Sequence, residues 1–144
     1  QTYPQTFAQV LGSGHKVGNH TYNHLKGFSI PDQEYYDNID KAAGVIDSKL
    51  FRPPYGRITR SQINELKTKY KIIMWDILSY DYDKNLNCKD GLKKISNRTR
   101  NGSIIVFHDS IKASKNMMNV LPKVLEHYSK LGYTFKSLEI KDIA

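Results

Sequence analysis

The chain has 144 residues, 39% of them apolar, and carries 22 Lys and Arg against 14 Asp and Glu, a formal net charge of +8. That length fits one domain with one core, no apolar run reaches the ~20 residues a membrane span needs, and a single cysteine, Cys88, excludes an internal disulfide. The lysine excess points to anionic surfaces such as nucleic acid, anionic lipid or an acidic cell-wall polymer, but the lysines are spread along the chain with no zinc-knuckle cysteine set or Arg-Gly tail, which argues against nucleic acid.

Taken in order, Thr2 to Leu11 reads as helix, with Phe7, Val10 and Leu11 on one side and Gly12 and Gly14 ending it. A short extended piece runs from His15 to Gly18. Ser29 offers an N-cap with Pro31 near the first helical position, and the apolar period Tyr35, Ile39, Ala42, Ala43, Ile46 predicts a helix to about Lys49. Leu50-Phe51-Arg52 is extended, because the residue before a proline avoids the helical region. Thr59 with Gln62 is a capping-box pattern opening a helix that carries Ile63 and Leu66. Lys71 to Leu78, around Ile72-Ile73-Met74-Trp75, reads as a strand buried on both faces. Asp90 to about Arg100 is a weaker helix on Leu92 and Ile95. Ser103 to Phe107 is a second buried strand ending on His108-Asp109, with Asp109 a candidate cap for the next helix. This last helix is predicted from about Lys115 to Leu131, with Met117, Leu121, Val124, Leu125 and Tyr128 inward. Pro122 within it implies a late start or a kink. Gly132 stops it, and Tyr133-Thr134-Phe135 is a final short strand.

Strands and helices alternate, which predicts a mainly parallel α/β sheet, open or closed into a barrel. The informative polar residues all follow strands. His20 and His24 follow one, Arg52 to Tyr55 another, Asp76 and Asp81 a third, and His108 with Asp109 a fourth. In parallel α/β folds the C-terminal strand ends share one rim, and sites are built there. The spacing of His20 and His24 lets both imidazoles leave one side of a helix or tight turn. That suits a small divalent cation, zinc first, with cobalt, nickel or iron as alternatives.

Gly14 to His24 resembles the metal-binding H-[ST]-x-x-H segment of the polysaccharide deacetylase family, also called carbohydrate esterase family 4 or the NodB homology domain. Phe51-Arg52-Pro53-Pro54-Tyr55-Gly56 resembles the family's R-x-P-Y segment. Trp75-Asp76 through Asp81-Tyr82 resembles its fourth motif, and Val106-Phe107-His108-Asp109 its last. The motifs stand in the family's order over nearly the whole chain.

The resemblance implies part of a distorted (β/α) barrel of the NodB type, with residues 1–144 forming its C-terminal portion. It implies a hydrolase acting on carbon–nitrogen bonds other than peptide bonds, removing acetyl groups from N-acetylated sugars of peptidoglycan or chitin-like polymers. The alternatives are a non-catalytic glycan-binding relative and an amidohydrolase acting on a small amide or imide. His20 and His24 would be metal ligands, Arg52 the partner of a base aspartate, and His108 the general acid. Pro54, Tyr55, Trp75 and Val106 would bind the oxyanion or the acetyl group, with Tyr55 offering its backbone N–H. Asp81 or Asp76 would orient His108, and the residues leave that choice open. The family's first motif, a T-F-D-D-G strand end carrying the base and a third metal ligand, has no counterpart here. The native protein is therefore expected to be longer, with the missing strands supplied by an N-terminal segment or another copy, and the chain as it stands is expected to be inactive. The resemblance favours the cell envelope or secretion, with a cytoplasmic location also open.

Overall fold

A computed structural model describes residues 3–140. The chain divides into two units, one running to Met74 and including the residues from Lys136 on, the other Trp75–Phe135.

The first unit holds helix α1 (Pro4–Gly12), helix α2 (Asp32–Ala43), strand β1 (Leu50–Phe51), helix α3 (Arg60–Leu66) and strand β2 (Lys71–Ile72). β1 and β2 are parallel, with Leu50 opposite Lys71 and Phe51 opposite Ile72. Asn19 adds a parallel bridge on the other side of Phe51. Tyr35 and Ile39 of α2, Phe51, Leu66 and Tyr70 form the core. Burial raises the Tyr35 phenol to about 12.

Helix α2 starts and stops inside its predicted limits. Ser29 lies in a 3₁₀ turn (Gly27–Ser29), and Pro31 takes the N-cap position without a side-chain bond. At the other end Gly44, a poor helix former, follows Ala43, and Val45 and Ile46 both donate to Ala42 O. Val45, past the last turn, points to solvent and is 54% exposed. α1 forms as expected but buries no residue fully, and Leu11 is 44% exposed.

The capping box at α3 is present, and its glutamine does more than cap. Gln62 is fully buried. Its Oε1 accepts from Thr59 N–H at 3.0 Å, while Nε2 donates to Gly27 O at 3.0 Å and Asp32 Oδ1 at 2.8 Å. One side chain thus ties α3 to the start of α2 and to the turn before it. A Cβ on residue 27 would lie 2.6 Å from Gln62 Oε1, which is why glycine stands there. Of the two apolar residues this helix carries, Leu66 is buried and Ile63 is 37% exposed.

The second unit holds strand β3 (Ile77–Leu78), helix α4 (Cys88–Ser96), strand β4 (Ile105–Val106) and helix α5 (Ile111–Lys130). β3 and β4 are parallel, with Ile77 opposite Ile105 and Leu78 opposite Val106. Ile77, Ile95, Val120, Val124 and Tyr128 form its core. Gly91 lets α4 approach α5, since a Cβ there would meet Val120 Cγ2 at 3.2 Å.

Three expectations are corrected here. The apolar run Lys71 to Leu78 is not one strand but β2 and β3, in separate sheets. The break has a cause: the Arg52 guanidinium takes the carbonyls of Ile73 and Met74, which a continuing strand would have offered to a neighbour. α5 begins at Ile111, capped by the Ser110 hydroxyl rather than by Asp109, and it runs through Pro122. Pro122 and Met118, whose carbonyl loses its donor, are both solvent-exposed, so water can replace that bond. Tyr133 to Phe135 form no strand; Tyr133 instead packs edge-on against Tyr128, with centroids 5.1 Å apart.

Replacing Gln62 by Ala leaves Gly27 O and Asp32 without their buried donor and removes half of the capping box. A loss of about 2 kcal/mol is expected, read as a lower midpoint in urea unfolding; an unchanged midpoint would show the network idle.

Candidate active site

In the first unit the C-terminal ends of three neighbouring parallel segments carry His20, Arg52 and the Ile73–Met74 carbonyls. Asn19 N–H donates to Leu50 O at 2.8 Å, Arg52 N–H to Asn19 O at 2.9 Å, and Ile73 N–H to Phe51 O at 2.8 Å. The histidine pair lies on an irregular loop, not on a helix. Buried polar side chains shape that loop. Asn19 Nδ2 donates to Ile39 O at 2.9 Å, while its Oδ1 accepts from Thr21 N–H at 3.0 Å. Thr21 Oγ1 accepts from Leu25 N–H, and Asn38 Oδ1 accepts from the N–H groups of both Tyr22 and Asn23. Asn19, Thr21 and Asn38 carry no local sequence signal for this supporting role, because most of their partners lie in other elements.

His20 Nδ1 lies 2.6 Å from Arg52 O. A carbonyl only accepts, so Nδ1 carries a proton, and in the neutral ring the lone pair is then on Nε2. That is the orientation device of metal-binding histidines. The rings of His20 and His24 meet edge to face at 4.9 Å, and His24 meets Tyr55 in the same way at 4.8 Å. Tyr55 stands at the apex of a 3₁₀ turn (Pro54–Gly56) between the buried Pro54 and Gly56, with its side chain exposed. Arg52 Nε donates to Ile73 O at 3.1 Å and Nη2 to Met74 O at 3.3 Å. Burial lowers its pKa from the ordinary guanidinium value, yet arginine keeps its charge at any physiological pH. No carboxylate lies within 4 Å of Arg52 among the described residues.

The histidine pair fits two positions of a divalent-cation site: its donors are imidazoles, and one is already held in a single tautomer. Among the described residues no group of three His, Cys, Asp or Glu side chains converges on such a site. The pair by itself would be a partial ligand set.

In the second unit the ends of β3 and β4 bring Asp81 and His108 together. Asp81 is fully buried. Its Oδ2 accepts from His108 N–H and its Oδ1 lies against His108 Nδ1, both at 2.7 Å. An ionised carboxylate only accepts, so Nδ1 bears hydrogen and Nε2 faces outward chemistry. Ser79 Oγ accepts from Asp81 N–H, and Asn116 Nδ2 donates to Asp81 O at 2.9 Å and Asp83 O at 2.7 Å. Asn116 is a further supporting residue without a sequence signal, since it reaches across from α5.

The choice between the two aspartates is resolved as a matter of contact. Asp76, the other candidate for orienting His108, is engaged elsewhere: it pairs with Arg100 at 3.1 Å and accepts from Ile104 N–H at 3.0 Å. It anchors the start of β4. Tyr82 packs edge-on against His108 at 4.9 Å, and burial first, then Tyr80, Asp81 and Asp83, raise its phenol pKa. Trp75 and Val106 are half-buried, Val106 beside Leu78 in the β3–β4 register.

Among the described residues, four that are not glycine adopt left-handed backbone angles: Thr21 (φ 62°), His24 (56°), Tyr55 (60°) and Tyr80 (57°). All four lie in or beside the segments already singled out. For β-branched Thr21 the conformation is a true outlier, and such strain collects at functional sites.

Residues 1–71 match the family model described as polysaccharide deacetylase. A peptidoglycan-N-acetylglucosamine deacetylase of Bacillus cereus is 30% identical over 145 residues, covering 94% of this chain and 67% of that protein. The peptidoglycan-N-acetylmuramic acid deacetylase PdaC of Bacillus subtilis is 30% identical over 96% of this chain, which spans 30% of its length. Among solved structures, a peptidoglycan N-acetylglucosamine deacetylase in complex with 4-naphthalen-1-yl-N-oxidanyl-benzamide superposes with a TM-score of 0.87 at 23% identity, over 95% of this chain and 67% of that one. That likeness shows the NodB-type α/β fold.

The Asp81 contact makes a prediction independent of turnover. In the native chain the His108 imidazole should be held as the Nδ1–H tautomer, visible in its ¹⁵N shifts. Asp81→Asn should release it towards a mixture while His20 is unaffected, and an unchanged tautomer would remove Asp81 from that role.

Proposed function

The chain belongs to the polysaccharide deacetylase family, and from that premise we propose that it is part of the catalytic domain of a hydrolase removing acetyl groups from N-acetylated sugars of a polysaccharide. The observation that carries the reading is the buried Asp81 carboxylate gripping both N–H groups of His108. Such a grip orients a proton donor and is more than a strand-end histidine needs. The names of the relatives favour a peptidoglycan-type glycan as the substrate.

Amide hydrolysis needs a water made nucleophilic, a place for the oxyanion and a proton for the departing amine. His20 and His24 would hold a divalent cation, most simply zinc, which when bound supplies Lewis acidity and lowers the pKa of water. Two imidazoles do not complete a site, so a further ligand has to come from outside the described cluster. Arg52, fixed by two carbonyls, presents its remaining N–H groups and a positive charge suited to holding a carboxylate base ionised. Tyr55, fixed at the apex of its turn, offers its backbone N–H as an oxyanion donor, with Pro54 stiffening the approach. Trp75 and Val106 provide apolar wall for the acetyl methyl group.

His108 acts at the end of the reaction. With Nδ1–H held by Asp81, the proton delivered is the second one, which Nε2 carries when the ring is in its imidazolium form. The amine nitrogen takes it as the carbon–nitrogen bond breaks, and the bonding electron pair leaves with the nitrogen. Acetate and a free amino sugar are the products.

Two substitutions separate the roles when made in the whole protein. His108→Ala should lower the rate of acetate release from an N-acetylated glycan by about 10²–10⁴-fold and leave bound metal unchanged by elemental analysis. His20→Ala or His24→Ala should lower both metal content and rate. Metal lost with His108, or retained without either loop histidine, would overturn the assignment.

A further inference from the structure

Apart from Arg52, the positive charges behind the net +8 have no part in the chemistry above, and some of them are gathered in one place. The Trp75–Phe135 unit carries a half-open cavity of about 480 Å³, a size common for ligand sites. Leu86 and Val120 supply its apolar lining, and Lys84, Lys112 and Lys115 its cations.

The fold brings these lysines together through Asn116. Its amide binds the carbonyls of Asp81 and Asp83, which pins the turn carrying Lys84 against the first turns of α5, where Lys112 and Lys115 stand. None of the three lysines is in an ion pair among the described residues. Lys112 Nζ lies over the Tyr82 ring, 5.6 Å from its centroid. Of the neighbouring acids, Asp83 Oδ1 accepts from Asn85 N–H and Asp90 Oδ2 from Asn87 Nδ2, and neither is in an ion pair with these lysines among the described residues. The lining amides are occupied too, because Asn119 Nδ2 donates to Lys115 O and Asn116 Nδ2 is shared by two carbonyls. The ammonium groups are therefore the donors left for a ligand. Three ammonium groups lining one cavity repel one another, and an oxyanion placed among them lowers that cost. Lysine is a point charge without a fixed fork, so it accepts either a carboxylate or a phosphate.

We propose that this cavity is a binding site for an oxyanion, carboxylate or phosphate, carried on an anionic polymer. Resting on the reading of the preceding subsection, the polymer is the acetylated glycan or a chain attached to it. The site then lies close to the general acid: Lys112 covers Tyr82, and Tyr82 packs on His108. Its occupant would hold the strand rather than react.

The test measures binding apart from turnover. Oligogalacturonate, a glycerol phosphate oligomer and a neutral chitin oligomer are titrated into the whole protein at low salt, with calorimetry and ¹H–¹⁵N spectra as readouts. At least one anionic probe should bind, should shift amides within 84–88 and 112–120, and should weaken as salt is added. Its Kd should rise about tenfold in Lys84→Gln/Lys115→Gln, with binding regained in Lys84→Arg/Lys115→Arg. The tighter of the two probes identifies the oxyanion. No binding by either, shifts confined to other residues, or an equal Kd in the glutamine variant overturns the proposal. Acetate release from the chitin oligomer is followed on the same samples and should not differ between native chain and variant. Its absence from both would overturn the deacetylase reading and leave the binding result standing.

Discussion

One buried asparagine sets the geometry on which the first half of the site depends. Asn19 uses its backbone to join a parallel bridge and its side chain to grip Ile39 O and Thr21 N–H. Sheet edge, helix α2 and histidine loop are fastened at one residue. A buried amide with both ends satisfied is directional in a way that apolar packing is not. It can hold a loop in a single path across a core surface that would itself accept several. Asp81 has the same position in the second unit, where a buried side chain beyond a strand end holds the histidine of the adjacent strand.

This arrangement follows from how short the strands are. β1 to β4 each extend over two residues, so the ladders alone fix little. Orientation of the loops passes to side chains: Gln62 for the turn at Gly27, Asn38 for Tyr22 and Asn23, Arg52 for the exit from β2, and Asn116 for the turn after Asp81. Most of these bonds span more than fifteen residues of sequence. They are tertiary contacts written as hydrogen bonds.

That is also the limit of what could be read from sequence alone. The Thr59–Gln62 capping box was legible because both partners lie within one helical turn, and the placement of polar residues after strands was legible because parallel α/β topology imposes it. Asp81 and Asp76 could not be told apart, since the distinction depends on the β3–β4 register. The run Ile72 to Trp75 looked continuous because nothing local shows that a distant arginine claims its carbonyls. The early end of α2 was signalled by Gly44 but masked by Ile46, which keeps the helical period while sitting past the last turn.

Thr21, His24, Tyr55 and Tyr80 hold backbone angles that cost L-residues about 1–2 kcal/mol each, against a net stability of about 5–15 kcal/mol for an ordinary domain. Much of the folding free energy is therefore offset at the loops that bear the candidate chemistry. Warming returns that strain first, because relaxing a loop needs only its few side-chain hydrogen bonds to open, whereas the cores around Tyr35 and Ile95 must come apart together. The histidine and tyrosine loops are then expected to soften ahead of the global transition, so local order at the candidate site is lost below the temperature at which the cores melt.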